Sequence, residues 1–251
     1  MNVHTRAEVL LEALPYIKRF AGQVVVVKYG GNALAGSSDD QALGLFAQDL
    51  VLMRAVGMHP VVVHGGGPQI SDLMKRLGKE TEFRNGLRVT DAETVDIARM
   101  VLIGQVNPQL VAAINTHGPI AVGVSGEDAG LIKATPRDPE LGFVGDVSAI
   151  NPTILRGLID DDFIPVVATI GTDDAGQAYN INADTVAGAI AEALGAEKLV
   201  YLTDIEGLRR QVDDPASLIH QTTPDELDQL VVDGVIAGGM IHKVESCVRA
   251  V

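Results

Sequence analysis

Five short apolar stretches, rich as a set in Val and Ile, punctuate the chain at residues 23–28, 60–64, 119–125, 163–170 and 197–203. Each is nearly unbroken in hydrophobicity, which predicts strands covered on both faces. Between most of them, apolar residues recur at helical spacing and predict helices over 40–57, 68–78, 91–117, 151–161, 183–195 and 224–233. Pro68 and Pro152 stand where first-turn prolines belong, and Asn151 and Thr223 where caps belong. Strand–helix alternation with buried strands predicts an α/β fold: a three-layer αβα sandwich around a mostly parallel, open sheet. Ahead of the first strand, Leu10, Leu11, Leu14, Ile17 and Phe20 form a helical stripe, with Pro15 in its middle to kink it. That stripe needs a cover, either its own domain or a neighbouring subunit. The turn-rich stretches 81–90 and 132–149 predict small hairpins beside the sheet. Turn formers over 170–180 mark a lobe boundary, dividing the chain into 1–22, 23–178 and 179–251.

Composition narrows the classes. The length of 251 residues suits one large α/β domain or two lobes sharing a sheet. A net charge of −14 argues against general nucleic-acid binding, which needs a basic face. It also requires any anionic substrate to be held by local positive groups. With Cys247 as its single cysteine, the chain forms no intrachain disulfide and no zinc cluster, which fits a reducing cytoplasm. The charged amphipathic start lacks a secretory apolar region, and no apolar run reaches about 18 residues, which excludes a membrane-spanning helix. The expectation is a soluble intracellular protein without a membrane partner.

Two strands run straight into glycine clusters, VVVVKYGGNAL at 24–34 and PVVVHGGGPQI at 60–70. Successive glycines let peptide N–H groups approach phosphate oxygens, and a helix that starts just after adds its positive end. Each run alone also reads as a tight strand–helix turn. Neither matches the Walker pattern or the dinucleotide fingerprint. Ligands of parallel sheets gather at the carboxyl ends of strands, and five such ends carry polar residues here. These are 28–32, 64–67, 125–128, 169–171 and Thr203-Asp204. Lys28 closes an apolar strand, where it either reaches solvent or meets an anion. The planar fork of Arg88, after an Asn85-Gly86 turn, suits capture of a carboxylate, and a surface role fits the spacing equally. Asn180, Asn182 and Asp184 alternate, so an extended backbone sends all three to one side; Asn182 or Asp184 also suits a helix cap. Lys243 follows a glycine pair and by itself reads as a solvated helix residue. His64 and His242 fit structural, hydrogen-bonded roles better than metal ligation.

Taken in order, VVKYGGNAL, VVVHGGGPQI, NGLRVT, VGVSGEDAGLI, NINADTVA, YLTDIEGL and GGMIHKVE resemble the amino acid kinase family over nearly the whole chain. Within it they are most similar to the branch that phosphorylates the γ-carboxylate of N-acetyl-L-glutamate with ATP and Mg²⁺, the second step of arginine biosynthesis. The resemblance implies a central eight-stranded sheet, an acceptor-binding lobe over 23–178 and a nucleotide-binding lobe over 179–251. It implies that Lys28 and Lys243 neutralise the transferring phosphoryl group and that Asp184 orients both lysines. Gly30, Gly31 and Gly66 match backbone donors to phosphoryl oxygens, and Gly66 and Gly67 border the acceptor. Arg88, Asn180 and Asn182 match acceptor-binding positions. Thr203, Asp204, Gly207, Leu208, Arg209, Val235, Ile236 and Ala237 match the walls of the nucleotide pocket. No position matches a resident metal ligand. The opening helix resembles that of arginine-sensitive hexameric members, implying a homo-oligomer, dimer or hexamer, with arginine as feedback inhibitor. The chain departs from those members at CVRAV, where they continue with a last strand, a helix and part of the arginine site. Other acceptors (aspartate, glutamate, carbamate or a nucleoside monophosphate) and a non-catalytic arginine-sensing subunit remain open alternatives.

Overall fold

A computed structural model describes residues 3–30, 39–84, 86–203, 207–211, 213–236 and 239–249. All five anticipated strands form: β1 (Val24–Tyr29), β2 (His59–His64), β5 (Ala121–Ser125), β8 (Ile164–Ala168) and β11 (Lys198–Leu202). However, β11, last in the sheet order, is not covered on both faces as expected: Lys198 and Leu202 are exposed and its middle residues only half-buried. They pair in the order β11-β1-β2-β8-β5, every pair parallel. Side chains alternate across this sheet. Val25, Val27, Tyr29, Val62 and Val166 join a core with Phe46, Leu50, Met74, Leu110 and Ile114 on one face. Val26, Val61, Val63 and Val167 join Leu155, Ile190 and Leu194 on the other. The helices on the first face are α2 (Asp39–Ala55), α3 (Gly67–Arg76), α4 (Ala92–Val101) and α5 (Asn107–Asn115). Those on the second are α6 (Thr153–Asp160) and α7 (Ala183–Leu194). The sandwich is three-layered, as its alternation requires.

Where the polar stretches lie, the structure departs from an eight-stranded central sheet. Among the described residues the parallel sheet holds five strands. Four others, β6 (Ile132–Pro136), β7 (Val144–Ile150), β9 (Ile170–Thr172) and β10 (Ala178–Ile181), close on one another in the order β10-β7-β6-β9. The single strand expected over 163–170 breaks at Thr169, so β8 stays in the large sheet while β9 turns into the small ring. A register shift between Lys133 and Ala134 bends the β6–β7 hairpin into the same ring. The hairpin anticipated over 81–90 is present as β3 (Phe83–Arg84) and β4 (Leu87–Arg88).

The helical run expected over 91–117 is continuous through Ala92–Asn115 but carries a π turn, Leu102–Val106, between α4 and α5. This 24-residue run is long and apolar enough to cross a bilayer, which corrects the reading that no segment has that character. Its apolar stripe lies against the sheet instead, with Leu102, Val106, Leu110 and Ile114 fully buried. Of the expected caps, Thr223 forms a complete capping box with Glu226 on α8 (Pro224–Val232). At α6 the N-cap is Pro152 rather than Asn151, whose Oδ1 accepts instead from Thr153 N and Oγ1.

The first helix, α1 (Val3–Phe20), runs through Pro15 without a break. Phe20 packs against the core, under the cations of Arg19 and Lys198. Leu10, Leu11 and Leu14 stay exposed, as does Val9 beside them, so this chain covers only the Phe20 end of that stripe. A last helix, α9 (Gly239–Arg249), packs with α8 around a separate apolar cluster of Leu230, Ile236 and Val244.

Candidate active site

Lys28 sits on β1 with the parity of Val26, so its side chain emerges on the face covered by α7. The first turn of α7 meets it there. Asn182 caps that helix, its Oδ1 accepting from the backbone N–H of Asp184 at 2.8 Å and of Thr185 at 3.2 Å. This places the Asp184 carboxylate at the positive end of the helix. Lys28 Nζ lies 2.8 Å from Asp184 Oδ1, and Lys243 Nζ, arriving from α9, lies 2.9 Å from Oδ2. One buried carboxylate thus holds two ammonium groups contributed by distant parts of the chain. Burial lowers the affinity of Lys28 for its proton, an effect that Asp184 opposes.

These groups line a cavity of about 400 Å³ together with Gly30, Gly66, Gly67, Arg88, Asn180, Asn182 and Thr203. Among the described residues its charged lining is Lys28, Arg88, Lys243 and Asp184, three cations against one anion in a chain of net charge −14. Arg88 is buried on β4. Its Nη2 donates to Gly67 O and to Ser71 Oγ, both at 2.8 Å, and its guanidinium lies 4.7 Å over the Phe83 ring. No carboxylate of a described residue lies within ion-pair distance of it. A buried cation with neutral partners leaves the site short of an anion.

The second glycine run is held from below. His64, at the end of β2, is fully buried, and burial lowers its pKa to about 4. Its ring is therefore neutral near pH 7, with Nδ1 3.1 Å from Gly65 O and Nε2 3.0 Å from Asn107 Nδ2.

A second cavity, of about 510 Å³, opens beside the first and shares Thr203 and Lys243 with it. Gly207, Leu208, Leu227, Met240, Val244 and Val248 give it a mostly apolar wall. Tyr201 stands at its edge, with the Lys243 Nζ 5.7 Å from its ring centroid. A flat apolar ring can bury in this cavity while an anionic tail reaches the lysines through the shared rim.

Most residues singled out from the sequence therefore converge: Lys28, Gly30, Gly66, Gly67, Arg88, Asn180, Asn182, Asp184, Thr203 and Lys243 on the first cavity, and Gly207 and Leu208 on the second. Three do not line either one. Ile236 is turned into the C-terminal apolar cluster, Val235 packs against it, and Arg209 bridges across to Leu218. Short apolar residues after a turn serve a core as readily as a pocket, and sequence spacing does not separate the two. Gly31, Asp204 and Ala237 lie outside the described residues. The sequence reading missed Ser71 and Phe83 around Arg88, and Leu227, Met240 and Val244 in the second cavity. The amphipathic spacing of α8 and α9 is the one signal that carried the last three. Among the described residues no three His, Cys, Asp or Glu side chains gather to hold a metal ion.

Fold and site together define an α/β phosphotransferase. The chain belongs to the amino acid kinase family, whose model matches residues 23–251. It is 54% identical to an acetylglutamate kinase of Saccharopolyspora erythraea over 98% of this chain and 82% of that one. It is 52% identical to an acetylglutamate kinase of Jannaschia sp., over 98% of this chain and 84% of that one. Among solved structures, smu.665 from Streptococcus mutans superposes with a TM-score of 0.80 at 29% identity, covering 91% of this chain and 90% of that one.

Proposed function

We propose that this protein transfers the γ-phosphoryl group of ATP to the γ-carboxylate of N-acetyl-L-glutamate, giving N-acetyl-L-glutamyl 5-phosphate and ADP. The observation that carries the reading is one cavity in which Asp184 holds Lys28 and Lys243 opposite a buried Arg88 that has no carboxylate partner among the described residues. The identity of about half with acetylglutamate kinases supports the choice of acceptor.

The chemistry needs no general base. A γ-carboxylate, with a pKa of about 4.3, is already an anion at neutral pH. One of its oxygens forms the new bond to phosphorus as the bond from phosphorus to the bridging oxygen of ADP breaks, and no proton changes hands. The barrier lies in bringing two anions together and in spreading charge over the transferring group. Lys28 and Lys243 answer that charge, and the backbone N–H of Gly66 adds to it. The N–H of Gly30, expected from the sequence to do the same, is instead donated to Leu202 O at 3.2 Å. Asp184 keeps the lysines apart and aimed. Arg88 takes the acceptor's α-carboxylate, with Asn180 and Asn182 nearby, and the apolar cavity takes the base of the nucleotide. Mg²⁺ would ride on the ATP phosphates and neutralise part of their charge.

On this reading residues 23–178 carry most of the acceptor side and 179–251 the nucleotide side. The exposed stripe of α1 meets a second copy of the chain, arginine is a feedback inhibitor, and the protein works in the cytoplasm. The deciding experiment measures ADP release with a panel of acceptors and traps the acyl phosphate with hydroxylamine. Turnover dependent on N-acetylglutamate is expected. Preference for aspartate, glutamate or carbamate, or arginine binding without turnover, would overturn the reading.

A further inference from the structure

The π turn at Leu102–Val106 sits directly beneath the second glycine run. Pro108 has no N–H to continue the ordinary ladder, and Asn107 N instead donates to Leu102 O, five residues back. The extra residue pushes two features towards the sheet. Leu102 and Val106 pack so closely under Gly66 that a Cβ there would stand 2.7 Å and 3.2 Å from their methyl groups. Asn107, 6% exposed, extends its amide over three neighbouring strands. Its Nδ2 donates to Val166 O on β8 at 2.8 Å and to His64 Nε2 on β2 at 3.0 Å. Its Oδ1 occupies the space that a side chain at position 123 of β5 would need.

These bonds set the tautomer. Val166 O can only accept, so the amide nitrogen faces it and His64 Nε2 accepts as well. The ring proton is then on Nδ1 and is donated to Gly65 O. In a planar trans peptide the N–H of Gly66 points opposite the carbonyl of Gly65, and the chain has no cis peptide bond among its described residues. With the Gly65 carbonyl turned down to the buried His64, the Gly66 N–H points up towards the cavity that Gly66 lines.

We infer that Asn107 and His64 are positioning residues for the phosphoryl-transfer step, delivered by the π turn, which aim the Gly66 N–H at the transferring group by fixing the Gly65 peptide. The neutrality of the buried His64 ring near pH 7 agrees with this, since a charged ring could not accept from Asn107. The inference rests on the phosphotransfer proposed above.

The test is steady-state kinetics on folded protein, quantified by circular dichroism, with ATP and N-acetylglutamate. Asn107→Ala is expected to lower kcat by about tenfold to a hundredfold, with both KM values within about threefold, the scale of one misdirected backbone donor. His64→Asn keeps a donor for Gly65 O and should recover most of the kcat lost in His64→Ala. Gly123→Ala lies outside both cavities, yet its Cβ would meet Asn107 Oδ1 at 1.9 Å. It should lower kcat too, and the Gly123→Ala/Asn107→Ala double variant should be no worse than Asn107→Ala alone. An unchanged kcat per folded molecule in Asn107→Ala and Gly123→Ala overturns the inference, as does equal impairment of His64→Asn and His64→Ala. Those results with an active wild type leave the proposed reaction standing. A wild type inactive towards every acceptor rejects the reaction, and the positioning role falls with it.

Discussion

Lys28 Nζ stands 2.8 Å from Asp184 Oδ1, with both side chains only 9% exposed. The two residues are 156 positions apart, and the fold joins them by setting the first turn of α7 over the end of β1. A buried ion pair of this kind is a weak source of stability, because desolvation offsets much of the attraction. Burial lowers the Lys28 pKa and Asp184 opposes that shift, so on the proposed reading the pair serves to keep the lysine charged and aimed.

Lys28→Ala and Lys243→Ala should each reduce kcat by at least about a hundredfold, the usual scale for removing a group that meets charge in the transition state. Asp184→Asn carries a sharper signature. It removes an interaction that raises the Lys28 pKa and leaves the burial that lowers it. The charged form should then be lost at lower pH, so the alkaline limb of the pH–rate profile moves down. A profile superimposable on wild type would show that Asp184 does not sustain the charge of Lys28.

Arg88→Ala should act on the acceptor. Loss of a charge-assisted bond costs about 1.5–3 kcal/mol, which corresponds to roughly a 10- to 100-fold rise in KM for N-acetylglutamate. KM for ATP should stay near its wild-type value. Arg88→Lys should not restore binding, since one ammonium cannot reach Gly67 O, Ser71 Oγ and a carboxylate at once. An unchanged acceptor KM would remove Arg88 from the site.

Leu208→Asp should act on the nucleotide. A carboxylate in the apolar cavity would be poorly solvated there and would repel the phosphates, so KM for ATP should rise by about tenfold or more. Acceptor binding, followed by calorimetry, should be intact. Equal loss of both ligands would mean that the substitution disturbs the fold rather than the cavity.

His64 predicts a pH dependence of stability. Its pKa is about 4 in the folded chain and about 6.5 when unfolded, so between those values the unfolded state binds more protons. Its contribution to stability is therefore complete above about pH 6.5 and declines as pH falls towards 4, by at most about 3 kcal/mol. Urea denaturation at pH 7 and pH 5 checks this. His64→Asn should lose less stability between the two than wild type does.

The open stripe on α1 predicts association. Leu11→Glu and Leu14→Glu, both at exposed positions, should leave the melting temperature within a few degrees and shift the sedimentation coefficient to a smaller species. An unchanged coefficient would mean that α1 does not hold copies together.

Much of this was legible in the sequence. The five central strands and most helices follow from runs of Val and Ile and from 3.6-residue spacing, because those patterns mark which faces are buried whatever the topology. Lys28 at a strand end, the alternation of Asn180, Asn182 and Asp184, and the glycine runs are local features, and each points to a site before any contact is known. The ring of β6, β7, β9 and β10 was not legible in the same way. Its strands are short and half polar, and their closure depends on a break at Thr169 and a shift at Lys133 that leave little trace in composition.

The sequence by itself determined the layered α/β architecture, the sign of the charge that the site must supply locally, and the kinship that names its chemistry. These depend on periodicity, net charge and motifs that are read one segment at a time. Only the tertiary structure decided that one carboxylate serves both Lys28 and Lys243, that Arg88 is buried with no carboxylate partner among the described residues, and that Asn107 reaches His64 through a π turn. Each of those depends on where distant segments meet, and a distance of 2.8 Å between positions 28 and 184 exists only once the chain has packed.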